Sequence, residues 1–287
     1  MTWQLLLVIY LILATSSFLL RRKLGKSYPK YNRFVNWFFF LGTLYPIGIV
    51  VALSLHENLH ISLHDFVIIL AAELVFPLIN LSQYKASKDV DAGLFTIVNN
   101  LTPIITITTA WILLHEGLDS REFVGAVIII ASTFIVSFPG LLNRSKSKAT
   151  GLMFVLLSVC MLGVATTFER WMLTRISFSA YLIFGWGFQT LWMTVIAWPQ
   201  RKYIKILKNP KLRMPIIAFG LVNTFKGLCW LGALRLSGNA SLVSAFGSFT
   251  AVLVVLSAYF ALKERKHLAI KLTAALVGAI GLIILNY

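Results

Sequence analysis

Two charged side chains stand near the middle of long apolar runs. Glu73 lies in Val67-Ile-Ile-Leu-Ala-Ala-Glu-Leu-Val-Phe-Pro77, and Lys226 lies in Leu221-Val-Asn-Thr-Phe-Lys-Gly-Leu-Cys-Trp230. An ionisable group at membrane depth is costly, and it marks a solute path, a proton relay or a pair. Lys226 suits an anionic group of a solute. Glu73 suits a cation or an exchanging proton. A Glu73–Lys226 salt bridge that only ties helices together is the alternative. Asn99, Asn100 and Thr102 precede Pro103. Proline leaves a carbonyl of the preceding turn unbonded, and such breaks line cavities; amide bonding between helices is the plainer role. Pro77 and Asn80 have the same ambiguity. Tyr45 and Trp230 are deep aromatics suited either to stacking on an amine or ring or to packing. The candidate substrate-binding residues are therefore Glu73, Lys226, Asn99, Asn100, Tyr45 and Trp230. Glu73 is also the proton-coupling candidate, and Pro77 and Pro103 are candidate helix breaks.

These residues need elements that cross a membrane. The chain is 58% hydrophobic and 13% charged, with mean hydropathy +0.82, which is far more apolar than a soluble domain. About 20 apolar residues span the hydrocarbon core. Ten segments approach this, near 2–20, 34–55, 64–84, 90–114, 120–140, 150–169, 177–199, 213–235, 238–262 and 267–286. The runs are continuous rather than alternating, which favours helices over a β-barrel. Lys271 lies inside the tenth, near enough to an end to snorkel. The linkers 21–33 and 200–212 are basic and carry Pro29 and Pro210. The first run lacks a basic leader and a cleavage site, so it reads as a retained helix.

Charge orients these segments. Of the 26 Lys and Arg, 21 fall in odd-numbered loops, and four (Arg121, Arg170, Arg175 and Arg235) fall in even ones. Positive loops stay inside. The odd loops are therefore expected in the cytoplasm and both termini outside, in a plasma (inner) membrane. The net charge of +16 is explained by lipid headgroups and orientation, not by nucleic acid.

The two halves repeat. The first has Asn99-Asn-Leu-Thr-Pro103, a run ending His115-Glu116, and then Gly125. The second has Ser244-Ala-Phe-Gly-Ser248, a run ending Lys263-Glu264, and then Gly278 and Gly281. Glu116 and Glu264 are 148 residues apart in a chain of 287. Five spans per repeat is odd, so the halves insert in opposite senses, a construction of secondary transporters with a midplane site. At these residues the chain resembles the EamA branch of the drug/metabolite transporter superfamily. It departs from the pattern at Ala251, where the first copy has Pro103, and at His115 and Lys263, where the family often has Gly. The resemblance implies an all-α polytopic membrane protein: ten transmembrane helices in two inverted five-helix repeats, residues 1–143 and 144–287. It implies a secondary carrier of a small polar metabolite, amino-acid-like or related, working by alternating access.

The remaining residues invite plainer readings. Glu116 and Glu264 suit caps on the helix that follows each. Trp37, Trp186, Trp192, Trp198 and Tyr203 suit interface anchors. His56, His60 and His64 recur every four residues, but in a short exterior loop without further ligands, so no metal is expected. Cys160 and Cys229 suit packing. No glycine-rich phosphate loop is present, which argues against direct ATP drive. No cofactor is expected, and the partners are a small solute, the bilayer and protons. An integral membrane enzyme acting on lipids, or a flippase of lipid-linked substrates, is the competing class. The short loops offer no evident active site for such an enzyme.

Overall fold

A computed structural model describes residues 2–90, 95, 98–99, 101–142, 149–261 and 268–286. Asn100, Lys263 and Glu264 lie outside these residues, as do the basic residues of 143–148 and Arg265 and Lys266. All regular structure among the described residues is helical. Six segments are long and apolar enough to cross a membrane: Trp3–Gly25, Pro29–Leu55, Leu63–Ala86, Thr150–Arg175, Phe178–Lys208 and Pro210–Ser237. Shorter apolar helices run over Leu101–Leu114, Ala240–Val254 and Thr273–Leu285. The protein is a multi-pass membrane protein.

The first helix, α1 (Trp3–Ser27), is capped by Thr2, whose hydroxyl accepts from the Leu5 N–H. It runs well past residue 20, so Arg21, Arg22, Lys23 and Lys26 are helical rather than part of a loop. The second run is interrupted. Helix α2 (Asn32–Phe39) passes through a π turn, Phe40–Leu44, into α3 (Tyr45–Leu55). Pro46 has no N–H for the Gly42 carbonyl, and the Tyr45 N–H bonds Phe40 O, five residues back.

The third run is two helices, α4 (Leu63–Ala72) and α5 (Val75–Asp89). Ser62 caps α4: its hydroxyl accepts from the Asp65 N–H at 3.0 Å and donates to the Asp65 carboxylate at 2.7 Å. The break falls at Glu73 and Leu74. Pro77 cannot bond the Glu73 carbonyl four residues before it. The Leu70 carbonyl, which would otherwise await Leu74, accepts from the Trp192 indole at 2.6 Å.

Helices α6 (Leu101–Leu114), α7 (Ser120–Leu142) and α8 (Ala149–Arg175) follow. Pro103 is the third residue of α6. The short α9 (Phe178–Ala180) leads through a second π turn, Tyr181–Gly185, into α10 (Trp186–Ala197). The basic linker is not irregular: Trp198–Lys208 forms a 3-10 helix. Helix α11 (Pro210–Ser237) is capped by Asn209 and stopped by Gly238, whose φ of +67° suits glycine. A proline-free break at Ser248 and Phe249 separates α12 (Ala240–Gly247) from α13 (Thr250–Ala261), and α14 (Leu268–Asn286) ends the chain.

Packing is by helix pairs. α1 lies on α11, α5 on α8, and α7 on α14. The last pair approaches through glycine. A Cβ on Gly125 would fall 2.8 Å from the Leu285 backbone nitrogen, and one on Gly281 would fall 3.0 Å from Gly125 O. Small residues admit this backbone proximity in membranes. Large apolar side chains such as Val50, Met153 and Leu276 face outward, as lipid requires. Cys160 is among the exposed residues, so it does not pack as expected.

Candidate functional site

The spans surround a cavity of about 250 Å³. Its wall carries a helical stripe of α1, Tyr10, Ala14, Ser17 and Arg21, each three or four residues after the last. Facing it are Asn80 and Gln83 of α5, Glu169 of α8, and Asn223, Lys226 and Trp230 of α11. Asn99, Thr102 and Pro103 complete one side, and Gln189 lies on another.

Lys226 donates to Asn223 Oδ1 at 3.1 Å, and Ser17 donates to the same oxygen at 2.8 Å. The Asn223 amide is held by its own donation to Phe219 O at 2.7 Å, which fixes the oxygen toward the cations' side. Glu73 is fully buried. Its carboxylate accepts from Tyr181 Oη and from Gln189 Nε2, both at 2.7 Å. It does not line the cavity; Gln189, which does, links it to the wall. Among the described residues no ion pair joins Glu73 to Lys226. Tyr45 packs behind the wall against Gly187, and Pro77 is likewise outside the lining. Asn99, Pro103, Lys226 and Trp230 are on it.

Two charges that the sequence placed at span ends belong to this site. Arg21 is only 7% exposed and Glu169 only 5%. Arg21 Nη2 donates to Asn80 Oδ1 at 3.0 Å, Nη1 donates to Gln83 Oε1, and the guanidinium stands over the Phe219 ring. Glu169 accepts from the Trp230 indole at 3.2 Å, and that indole stacks on Tyr10 at 4.8 Å between centroids. The expectation that only Glu73 and Lys226 sit deep is therefore corrected. A signal was present for Arg21: Tyr10, Ser17 and Arg21 share one helical face. For Glu169 there was none, because the apolar run stops where α8 does not.

Several other side chains have partners the sequence did not indicate. Trp186 is buried on the cavity wall, and Trp192 bonds the broken third run, so neither is an interface anchor. Glu116 does cap a helix, but a distant one. Its Oε2 accepts from the Ala240 N–H at 2.9 Å, at the start of α12, and its Oε1 accepts from Arg170 Nε at 2.8 Å. Arg175 pairs with Asp65 and Arg235 with Glu57, each at 2.6 Å. Burial pushes the Glu57 carboxyl up, but the Ser179 N–H and Arg235 outweigh it and hold it below its usual value. No group of three metal-ligating side chains occurs among the described residues.

Residues 1–138 match the model of the EamA-like transporter family. The match covers the first 138 of 287 residues, and it is consistent with a membrane transporter of the drug/metabolite transporter superfamily. Among curated protein sequences no significant match was found. A solved structure, titled only as the crystal structure of a protein, matches with a TM-score of 0.66 at 15% identity, over 96% of each chain. At that identity the likeness shows the fold alone.

Proposed function

We propose that the EamA-type chain is a secondary carrier of a small polar solute, working by alternating access of two inverted five-helix repeats, residues 1–143 and 144–287. The observation that carries the reading is where the halves are tied. The carboxylate–guanidinium pairs Glu116–Arg170, Asp65–Arg175 and Glu57–Arg235 each join the first half to the second, and each involves even-loop ends of the spans. The hydrogen bond from Asn239 Nδ2 to Gly117 O crosses on the same side. This is a latch on one face of a central cavity. Among the described residues no ion pair joins the halves on the odd-loop face.

The packing supports the repeat. Number the spans one to ten along the chain and exchange span n with span n+5. The contact of spans 1 and 8 (α1 with α11) then becomes that of 6 and 3 (α8 with α5). The contact of 4 and 6 (α6 with α8) becomes that of 9 and 1 (α13 with α1). The pairs 5–10, 4–9 and 2–7 map onto themselves. All of these contacts exist. The two π turns fall in spans 2 and 7, which also exchange. π turns recur at functional sites.

In this reading Lys226, Asn99 and Trp230 face the solute, with Tyr45 behind them, and Glu73 takes the coupling proton. Its two donors, Tyr181 and Gln189, hold a carboxylate ready beside the wall. The odd loops face the cytoplasm of a bacterial-type inner membrane. The asymmetry of 21 basic residues there against four on the even side supports this orientation.

Solute counterflow in proteoliposomes tests the reading. Lys226→Ala should abolish it, and Glu73→Gln should remove its dependence on a pH gradient while leaving exchange. Counterflow that is unchanged in both variants refutes the assignment of the site.

A further inference from the structure

We propose that the cavity takes its solute by an oxyanionic group, a carboxylate or a phosphate, held between Arg21 and Lys226. This rests on the carrier reading above and narrows its substrate class. Both cations are held by neutral partners. Arg21 has the side-chain oxygens of Asn80 and Gln83, and Lys226 has that of Asn223. Two of those amides cannot turn their nitrogens toward the cations without losing a bond. Asn80 Nδ2 donates to Phe76 O at 3.0 Å, and Asn223 Nδ2 donates to Phe219 O at 2.7 Å. The wall therefore aims and holds both positive groups through neutral acceptors.

An arginine that serves only to join helices in a membrane is expected to meet a carboxylate. Among the described residues Arg21 meets none. Its Nε–H is buried and has no acceptor among them, and the buried Thr102 hydroxyl on another wall of the cavity has no partner either. An unmade bond of this kind is destabilising, more so for a charged group than for a neutral one.

The spacing fits one shared ligand. Ser17 and Arg21 are one turn apart on α1, about 6 Å along the axis. Ser17 shares its acceptor with Lys226, so the ammonium lies about one turn from the guanidinium's helix position. The described cavity lining holds one carboxylate, Glu169, at the Tyr10–Trp230 end and within electrostatic reach of Lys226. Within the lining two cations face one carboxylate, which lies away from Arg21, and the other buried carboxylate, Glu73, is behind Gln189 and held by Tyr181 and Gln189. An incoming oxyanion supplies negative charge and offers acceptors to Arg21 and Lys226. A phosphate and a carboxylate share this chemistry.

The test uses the full chain in detergent and in proteoliposomes. Binding of succinate, glycerol 3-phosphate, glycerol and putrescine is read from tryptophan fluorescence, to which Trp186 and Trp230 on the cavity wall contribute, and uptake is measured with the same probes. The expected result is that succinate or glycerol 3-phosphate binds at least about tenfold tighter than glycerol or putrescine, and that Arg21→Gln and Lys226→Gln each lose that preference. Whichever of the two anions binds tighter separates carboxylate from phosphate. Lys226 is half-buried, so Lys226→Gln carries the comparison if Arg21→Gln does not fold. Putrescine or glycerol binding as tightly as both anions overturns the proposal, as does anion binding unchanged in the variants. Anion binding that needs Arg21, without uptake of any probe, leaves the anion site standing and refutes the carrier reading. Uptake indifferent to the solute's charge does the reverse.

Discussion

Glu116 makes the latch contact most open to dissection. It gives one oxygen to the Arg170 guanidinium at 2.8 Å and the other to the N-terminal N–H of α12 at 2.9 Å. Both charged side chains are 16% exposed, so solvent screens them only in part. A helix cap contributes about 1 kcal/mol. A charge-assisted hydrogen bond shielded to this degree contributes about 1.5–3 kcal/mol. Glu116→Ala removes both, a loss of about 2.5–4 kcal/mol by the same two figures. Glu116→Gln keeps an acceptor for the cap and should lose only about 1–2 kcal/mol. If the contact is a latch, the loss falls on the conformation closed at the even-loop face and not on the other. Since about 1.4 kcal/mol is tenfold, Glu116→Ala should shift that balance on the order of a hundredfold. The assay is a single cysteine at the cavity residue Ser248, in a background with Cys160 and Cys229 replaced by serine. A membrane-impermeant maleimide is added from the even-loop side. Labelling should accelerate in Glu116→Ala, less in Glu116→Gln, and Arg170→Ala should add little to Glu116→Ala. Two results refute the reasoning. One is unchanged labelling despite a lowered melting temperature. The other is a double-mutant coupling below about 0.5 kcal/mol, which means that the side chains do not act together.

Two further outcomes follow from the geometry. The Glu57 carboxyl is held below its usual value by the Ser179 N–H and Arg235, so its stabilising contribution is full above the ordinary carboxylate range and is lost as pH falls through its depressed value. Acidification should therefore loosen the even-loop face in the parent chain, and Glu57→Gln should flatten that pH dependence; an equal response in both chains contradicts it. Gly125→Val should lower the melting temperature by several degrees, because the added Cβ meets the Leu285 backbone at 2.8 Å, where no side chain can rotate away. Gly117→Val, with nothing nearer than Trp111 at 4.0 Å, serves as the control and should change it little.

Parts of the site were legible one segment at a time. Lys226 and Asn99 were visible because each interrupts an apolar run, and their places on the cavity wall follow from the spans that carry them. Pro77 signalled trouble in the third run, but the break itself falls at Glu73 and Leu74, and a tryptophan 122 residues from Leu70 satisfies the carbonyl left behind. Tyr181 and Gln189, which hold Glu73, gave no sign of it. Their runs are ordinary apolar sequence, and only the approach of span 7 to span 3 gives them a role.

Hydropathy and charge are local properties. A run of apolar residues satisfies its own backbone as a helix, and each basic cluster sits against its own span. The chain alone therefore determined a polytopic helical membrane protein. Whether a charge near the end of a run is wet or buried depends on what packs beside it. Arg21 is enclosed by Asn80, Gln83 and Phe219, Glu169 by Trp230, and Glu116 reaches α12 rather than the helix that follows it. These partners lie 59 to 198 residues away along the chain. The charge inventory of the cavity and the ion pairs Glu116–Arg170, Asp65–Arg175 and Glu57–Arg235 were decided only by the tertiary structure, because burial is a property of neighbours and not of sequence.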